Sequence, residues 1–131
     1  MKIATQLALF LVNEPGTLAN VCDELAKAGI NIYALSISDT VDHAVVRMVV
    51  SEPRKALSLL EERGVLVVES DVLMLENNNA PGTLAKIAHL LAKAEINIEY
   101  AYLATSPDAA TGLAILRLSD ADKALEVLAG S

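Results

Sequence analysis

The chain has 131 residues, 53% of them hydrophobic, with a mean hydropathy of +0.43 and a formal charge of 10 − 17 = −7. The acidic balance and the lack of any Lys/Arg run argue against phosphate-backbone binding, and 3% aromatic content leaves no base-stacking platform, so nucleic acid is an unsuitable partner. One cysteine, Cys22, excludes an intramolecular disulfide and a cysteine-based metal cluster, and no stretch approaches the ~20 apolar residues of a membrane span.

Residues 3–12 alternate as a buried strand, stopped by Pro15-Gly16. Their apolar core resembles that of a short signal peptide, but no small-residue cleavage site follows, so a cytoplasmic location is expected. Residues 17–28 carry Leu18, Val21, Cys22 and Leu25 at helical spacing, with Gly29 suited to the position after the helix. Cys22 falls in that apolar stripe and is expected in the core. Residues 30–38 and 43–51 read as two strands joined by a hairpin turn at 39–42, and Pro53 opens a second helix that ends at Gly64. Residues 65–69 form a fourth strand.

The pattern then begins again. Asn13-Glu-Pro-Gly-Thr-Leu-Ala19 returns as Asn79-Ala-Pro-Gly-Thr-Leu-Ala85, an offset of 79 − 13 = 66, and Ile30-Asn31-Ile32 returns as Ile96-Asn97-Ile98. Thirteen of the 21 positions from Asn13 to Tyr33 are identical in the two copies, which marks a tandem duplication of one supersecondary unit. In the second copy, residues 72–76 and 83–94 read as strand and helix. Residues 96–104 and 113–118 follow as strands, and 121–128 as the last helix.

Each copy is thus a βαββαβ unit. Right-handed crossovers make it an α+β, ferredoxin-like sandwich: a four-stranded antiparallel sheet with two helices on one face. The expected domains are 1–70 and 71–131. The second copy ends before its fourth strand, and that open edge is expected to be filled by residues 65–69 or by a strand from another chain. Strands apolar on both faces, such as residues 44–50, imply that the face away from the helices is covered as well, most simply by another sheet.

The repeated turn suits a small zwitterion. Pro ends the strand, Gly takes a backbone conformation closed to other residues, and the helix that follows offers unpaired N–H groups to a carboxylate. Asn carries both a donor and an acceptor. Asn20 and Lys86 stand where a capping box would place Glu or Gln, so the helix does not obviously consume those groups itself. The plain alternative is a tidy turn capped by its Asn, and retention in both copies weighs the two readings evenly. His43 and His89 read as solvated side chains, and Arg47 and Arg117, at equivalent strand positions, as partners of interface acids. No Ser/His/Asp or paired-acid constellation appears, and the loops lack the Arg that an acylphosphatase-like hydrolase would need.

The Asn-Glu-Pro-Gly-Thr-Leu-Ala turn, a helix, and Ala-Gly-Ile-Asn-Ile-Tyr-Ala-Leu together resemble the ACT domain, an amino-acid-sensing regulatory module, in two consecutive copies spanning nearly the whole chain. The resemblance implies effectors bound between paired ACT units, where the loop after the first strand meets the partner's helix-to-strand turn. Carried over by position, the ligand residues would be Asn13, Pro15, Gly16, Thr17 and Leu18 with Asn31 and Ile32. In the second copy they would be Asn79, Pro81, Gly82, Thr83 and Leu84 with Asn97 and Ile98. The second copy departs at Ala80 and Glu95, and loss of the Gly after its helix is expected to change its second turn. The implied protein is a non-catalytic, cofactor-free sensor of a small amino acid and a homodimer. The alternative is a regulatory subunit of a separately encoded enzyme of amino-acid biosynthesis. The turn also resembles that of the acetohydroxyacid synthase small subunit, a family with one ACT unit and a different C-terminal domain.

Overall fold

A computed structural model describes residues 1–39 and 43–130 of the chain. It contains β1 (Lys2–Val12), α1 (Thr17–Lys27), β2 (Ile32–Asp39), β3 (His43–Val50), α2 (Pro53–Glu62), β4 (Leu66–Asn78), α3 (Thr83–Lys93), β5 (Ile98–Ala104), β6 (Thr111–Leu118) and α4 (Ala121–Ala129). The elements match the sequence periodicities, except that the two strands expected at 65–69 and 72–76 are one strand of 13 residues. Ser70-Asp71, read as a link, contains neither Gly nor Pro, so nothing in it stops an extended chain. Residues 40–42 of the expected hairpin turn lie outside the described residues.

The chain divides into two compact units, Thr5–Ser70 and Met1–Ala4 with Asp71–Ser131. In the N-terminal unit the strands lie in the order β2-β3-β1-β4, and β3 is antiparallel to both β1 and β2. Leu7 pairs with Met48, Leu9 with Val46 and Leu11 with Ala44. Paired residues share a face, and these point at α1 and α2 to make a core with Val21, Leu25, Ile30, Ala56 and Leu60. Fully burying each such Leu or Val contributes about 1.5–3 kcal/mol.

The C-terminal unit repeats this plan with β4-β6-β5, where Leu73 pairs with Leu116 and Leu75 with Ala114. Its core of Leu73, Leu75, Leu91, Ile96, Leu116 and Ala124 copies Leu7, Leu9, Leu25, Ile30, Met48 and Ala56 position for position. The strand expected to be supplied by residues 65–69 or by another chain is instead the start of β1. Residues 1–4 belong to this unit, β1 neighbours β4, and Ile3 packs against the core. Lys2–Val12 is simply long enough to serve both units. On the face away from the helices, Gln6 and Val49 in one unit and Val72 and Ile115 in the other are buried too. Gln6 Nε2 donates to Ser70 Oγ at 3.2 Å, which satisfies a fully buried amide donor.

The turn after α3 is not altered by loss of its glycine. Gly29 lies at φ 73° and Glu95 at φ 60°, both left-handed. The N–H groups of Gly29 and Ile30 donate to Ala26 O and Leu25 O, and those of Glu95 and Ile96 to Ala92 O and Leu91 O. The helix-ending hydrogen bonds hold the backbone where a Cβ disfavours it by about 1–2 kcal/mol. Glu95→Gly should therefore raise unfolding stability by about 1 kcal/mol in urea titration, while Gly29→Glu should lower it by a similar amount.

Candidate functional site

The two repeated corners are built alike. Gly16 and Gly82 are the residues that start α1 and α3, at φ 89° and 85°, with no side-chain cap on either helix. A Cβ placed on either glycine would meet no heavy atom within 4 Å, so the backbone angle, not crowding, requires glycine and leaves space over the turn. Thr17 N–H donates to Glu14 O and Asn20 N–H to Gly16 O; Thr83 and Lys86 repeat these bonds to Ala80 O and Gly82 O. Among the described residues the N–H groups of Leu18 and Ala19, and of Leu84 and Ala85, meet no acceptor. They stand at the positive end of a helix dipole, where an anion is favoured.

The asparagines diverge. Asn79 Nδ2 points at three carbonyls of the β5–β6 loop, Ser106 O at 3.4 Å, Pro107 O at 3.2 Å and Ala109 O at 2.8 Å, while its backbone N–H donates to Ala110 O. It is a loop clamp. The Asn13 side chain has no hydrogen-bond partner among the described residues and is exposed.

At the other corner the backbone is fixed and the side chain is not. Asn31 N–H donates to Ser51 Oγ at 2.9 Å and Ser51 N–H returns a bond to Asn31 O at 2.9 Å. Asn97 and Ser119 do the same at 2.9 and 3.0 Å. Lys55 Nζ reaches Ala28 O at 2.7 Å, and Lys123 Nζ reaches Ala94 O at 2.8 Å, placing a cation on the negative end of α1 and of α3. Both Asn side chains stay exposed, with no partner among the described residues. Sequence reading missed these Ser and Lys residues. The signal was present: both recur at an offset of 68 (51 to 119, 55 to 123), directly after the third strand of each copy.

Within one unit the two corners do not meet. They occupy opposite ends of an 11-residue helix, about 16 Å long. A cleft of about 220 Å³ lies beside Asn13, Thr17 and Leu18 in the N-terminal unit, and one of about 350 Å³ beside Asn77, Asn78, Thr83 and Lys86 in the C-terminal unit. Neither is lined by Asn31, Ile32, Asn97 or Ile98.

Other singled-out residues have ordinary surroundings. Arg117 donates to Asp71 O at 3.0 Å and lies 3.9 Å from Glu99. Cys22 is half-buried and stays out of the core cluster that it was expected to join. Among the described residues no group of three His, Cys, Asp or Glu side chains could hold a metal ion, and no helix is long and apolar enough to cross a membrane.

The different employment of the two asparagines is measurable. Asn79→Ala should destabilise the chain by about 1 kcal/mol and speed amide exchange across residues 106–110, because it frees carbonyls that now share a donor. Asn13→Ala should leave stability within about 0.5 kcal/mol of wild type, as for other exposed positions.

Among solved structures, protein BT0572 from Bacteroides thetaiotaomicron is 36% identical over 98% of this chain and 88% of its own, with a TM-score of 0.91. The regulatory subunit of aspartate kinase from Thermus thermophilus, in its ligand-free form, shares the fold at 22% identity, 99% and 97% coverage and a TM-score of 0.74. That from Thermus flavus does so at 22% identity, 99% and 96% coverage and a TM-score of 0.66. None of the curated proteins compared with the chain matches it significantly. The family model for the ACT domain pair matches residues 1–130, and with a βαββαβ unit, its βαββα repeat and twin glycine corners the chain belongs to the ACT family as an ACT domain pair.

Proposed function

We propose that this chain is a non-catalytic sensor that binds a small amino acid where the β1–α1 corner of one copy meets the α1–β2 corner of a second copy. One observation carries the reading: at the two ends of α1, recognition groups without partners among the described residues sit on backbone that is already fixed. Asn13 and the Leu18 and Ala19 N–H groups wait at one end, and Asn31, held by Ser51 and backed by Lys55, at the other. The helix start takes the α-carboxylate, and the Asn carbonyls take the α-ammonium. Because a single helix keeps the corners apart, a second copy is needed to complete the site, and the bound ligand then favours one association over another. A coupling of about 1–3 kcal/mol is enough to regulate an attached or separate enzyme.

Asn79 favours a narrower reading of the C-terminal corner, as a structural turn whose Asn is occupied. The alternative for the whole chain is a regulatory subunit that acts on a separately encoded biosynthetic enzyme without binding ligand itself. The shared fold with an aspartate kinase regulatory subunit supports a role of that kind.

A thermal-shift and calorimetric screen of the twenty amino acids checks the proposal. At least one should raise the melting temperature and strengthen self-association in light scattering. Asn13→Ala and Asn31→Ala should each weaken its binding about 10-fold, and Gly16→Asp should abolish it by placing a carboxylate over the turn. Gly16→Ala controls for backbone strain. A complete screen with neither heat nor shift would end the sensor reading, and retention of a catalytic chain in co-purification would then favour the subunit alternative.

A further inference from the structure

The N-terminal unit leaves an apolar area open on the sheet face away from its helices. Phe10 and Val12 of β1 point there, since Leu7, Leu9 and Leu11 point at the core. Leu66 and Val68 of β4 join them, because Val65 and Val67 pack on the helix side. The bond from Gln6 to Ser70 likewise puts the even-numbered side chains of these neighbouring strands on one face. Phe10 is 38% exposed, Val12 51%, Leu66 64% and Val68 49%. A single exposed leucine is ordinary, but four large apolar side chains on one face of one sheet mark an interaction surface.

The repeat shows that the fold does not require them. An offset of 66 puts Glu76 and Asn78, both exposed, where Phe10 and Val12 stand. The C-terminal unit folds with polar groups at these places, so the hydrocarbon in the N-terminal unit serves something outside the chain.

We infer that this face docks on the same face of a second copy, as a twofold, sheet-on-sheet dimer that forms without any ligand. Charge selects that occupant. The chain has a formal charge of −7, so two copies repel each other wherever their acids meet. None of Ala8, Phe10, Val12, Val45, Leu66 and Val68 ionises, and their ionisable ladder neighbours on β3 are cations, Arg47 opposite Ala8 and His43 opposite Val12. A twofold axis sets each residue near its own counterpart, which an uncharged patch allows without like-charge repulsion. Area agrees. The four open side chains present on the order of 300–400 Å² of apolar surface, enough for the core of a standard interface of about 800 Å² per partner. Ser36, paired with Arg47, and Ser38, paired with Val45, lie on the same face and supply a polar rim. The contact uses neither Asn13 nor Asn31, so it stands or falls apart from the corner site.

Sedimentation equilibrium of the full chain, free of amino acids, tests the inference. A dimer is expected. Phe10→Glu and Val12→Asn install the twin's residues, so each should keep the circular dichroism and cooperative melting of the wild type. Both should weaken the dimer, Phe10→Glu by at least about 10-fold, as for loss of an interface anchor. Leu103→Glu, at a side chain 42% exposed on β5, should leave the dimer intact, as should Asn13→Ala and Asn31→Ala. Mixing Phe10→Glu with Phe10→Lys should restore a dimer from two monomeric variants, a rescue that misfolding cannot imitate. A wild-type chain that remains monomeric at high concentration would overturn the proposal and leave the face to a different protein. A dimer that survives both Phe10→Glu and Val12→Asn would overturn it too. One that is dissolved by Asn13→Ala or Asn31→Ala but not by Phe10→Glu would overturn it in favour of association through the corners.

Discussion

The chain must pass from the end of a strand into a helix within four residues, and a left-handed glycine makes that possible. At Gly16 and Gly82 the backbone reverses without a side chain in the way, so the helix begins at once, and the second and third of its N–H groups meet no acceptor among the described residues. A capping side chain would stabilise the helix and close that end to a ligand. Neither copy has one. The corner therefore forgoes the local stability a cap would add, and the leucine-rich core beneath each helix is what allows it to do so.

Duplication preserved backbone geometry more strictly than side-chain employment. Glu95 holds the left-handed angle of Gly29, and Ser119 and Lys123 reproduce the bonds of Ser51 and Lys55. Asn13 and Asn79 share a motif position, yet one amide is exposed and the other clamps a loop. Leu11 and Asn77 share a strand position, yet one belongs to a core cluster and the other stays out of it. Identity between repeats thus reports where the chain bends, and departures from identity report where the two units have taken different work.

Most of the fold was legible because periodicity and punctuation agreed. Pro15-Gly16, Gly29, Pro53 and Gly64 mark the ends of elements in sequence and in structure alike. β4 was misjudged because a run that alternates through Ser70-Asp71 looks like two strands when each repeat is expected to own its strands. The edge supplied by residues 2–4 was illegible for a related reason: pairing partners far apart in sequence leave no local pattern. The candidate corners were legible as positions. The reciprocal Ser–Asn bonds, the Lys contacts and the loop clamp of Asn79 depend on which loops fold back, and only the paired offsets of 66 and 68 hinted at them.

The opening residues of β1 also bear on how this protein can be taken apart. A fragment starting at Asp71 would carry both helices and the hairpin of the C-terminal unit, yet would expose a bare flank where residues 2–4 belong. Such a piece invites sticking to other copies through that flank. Splicing the initial tetrapeptide onto the far terminus through a flexible tether would give a more faithful excised module. During synthesis residues 1–4 emerge well before the rest of their unit, so closure of that half awaits the segment from Asp71 onward.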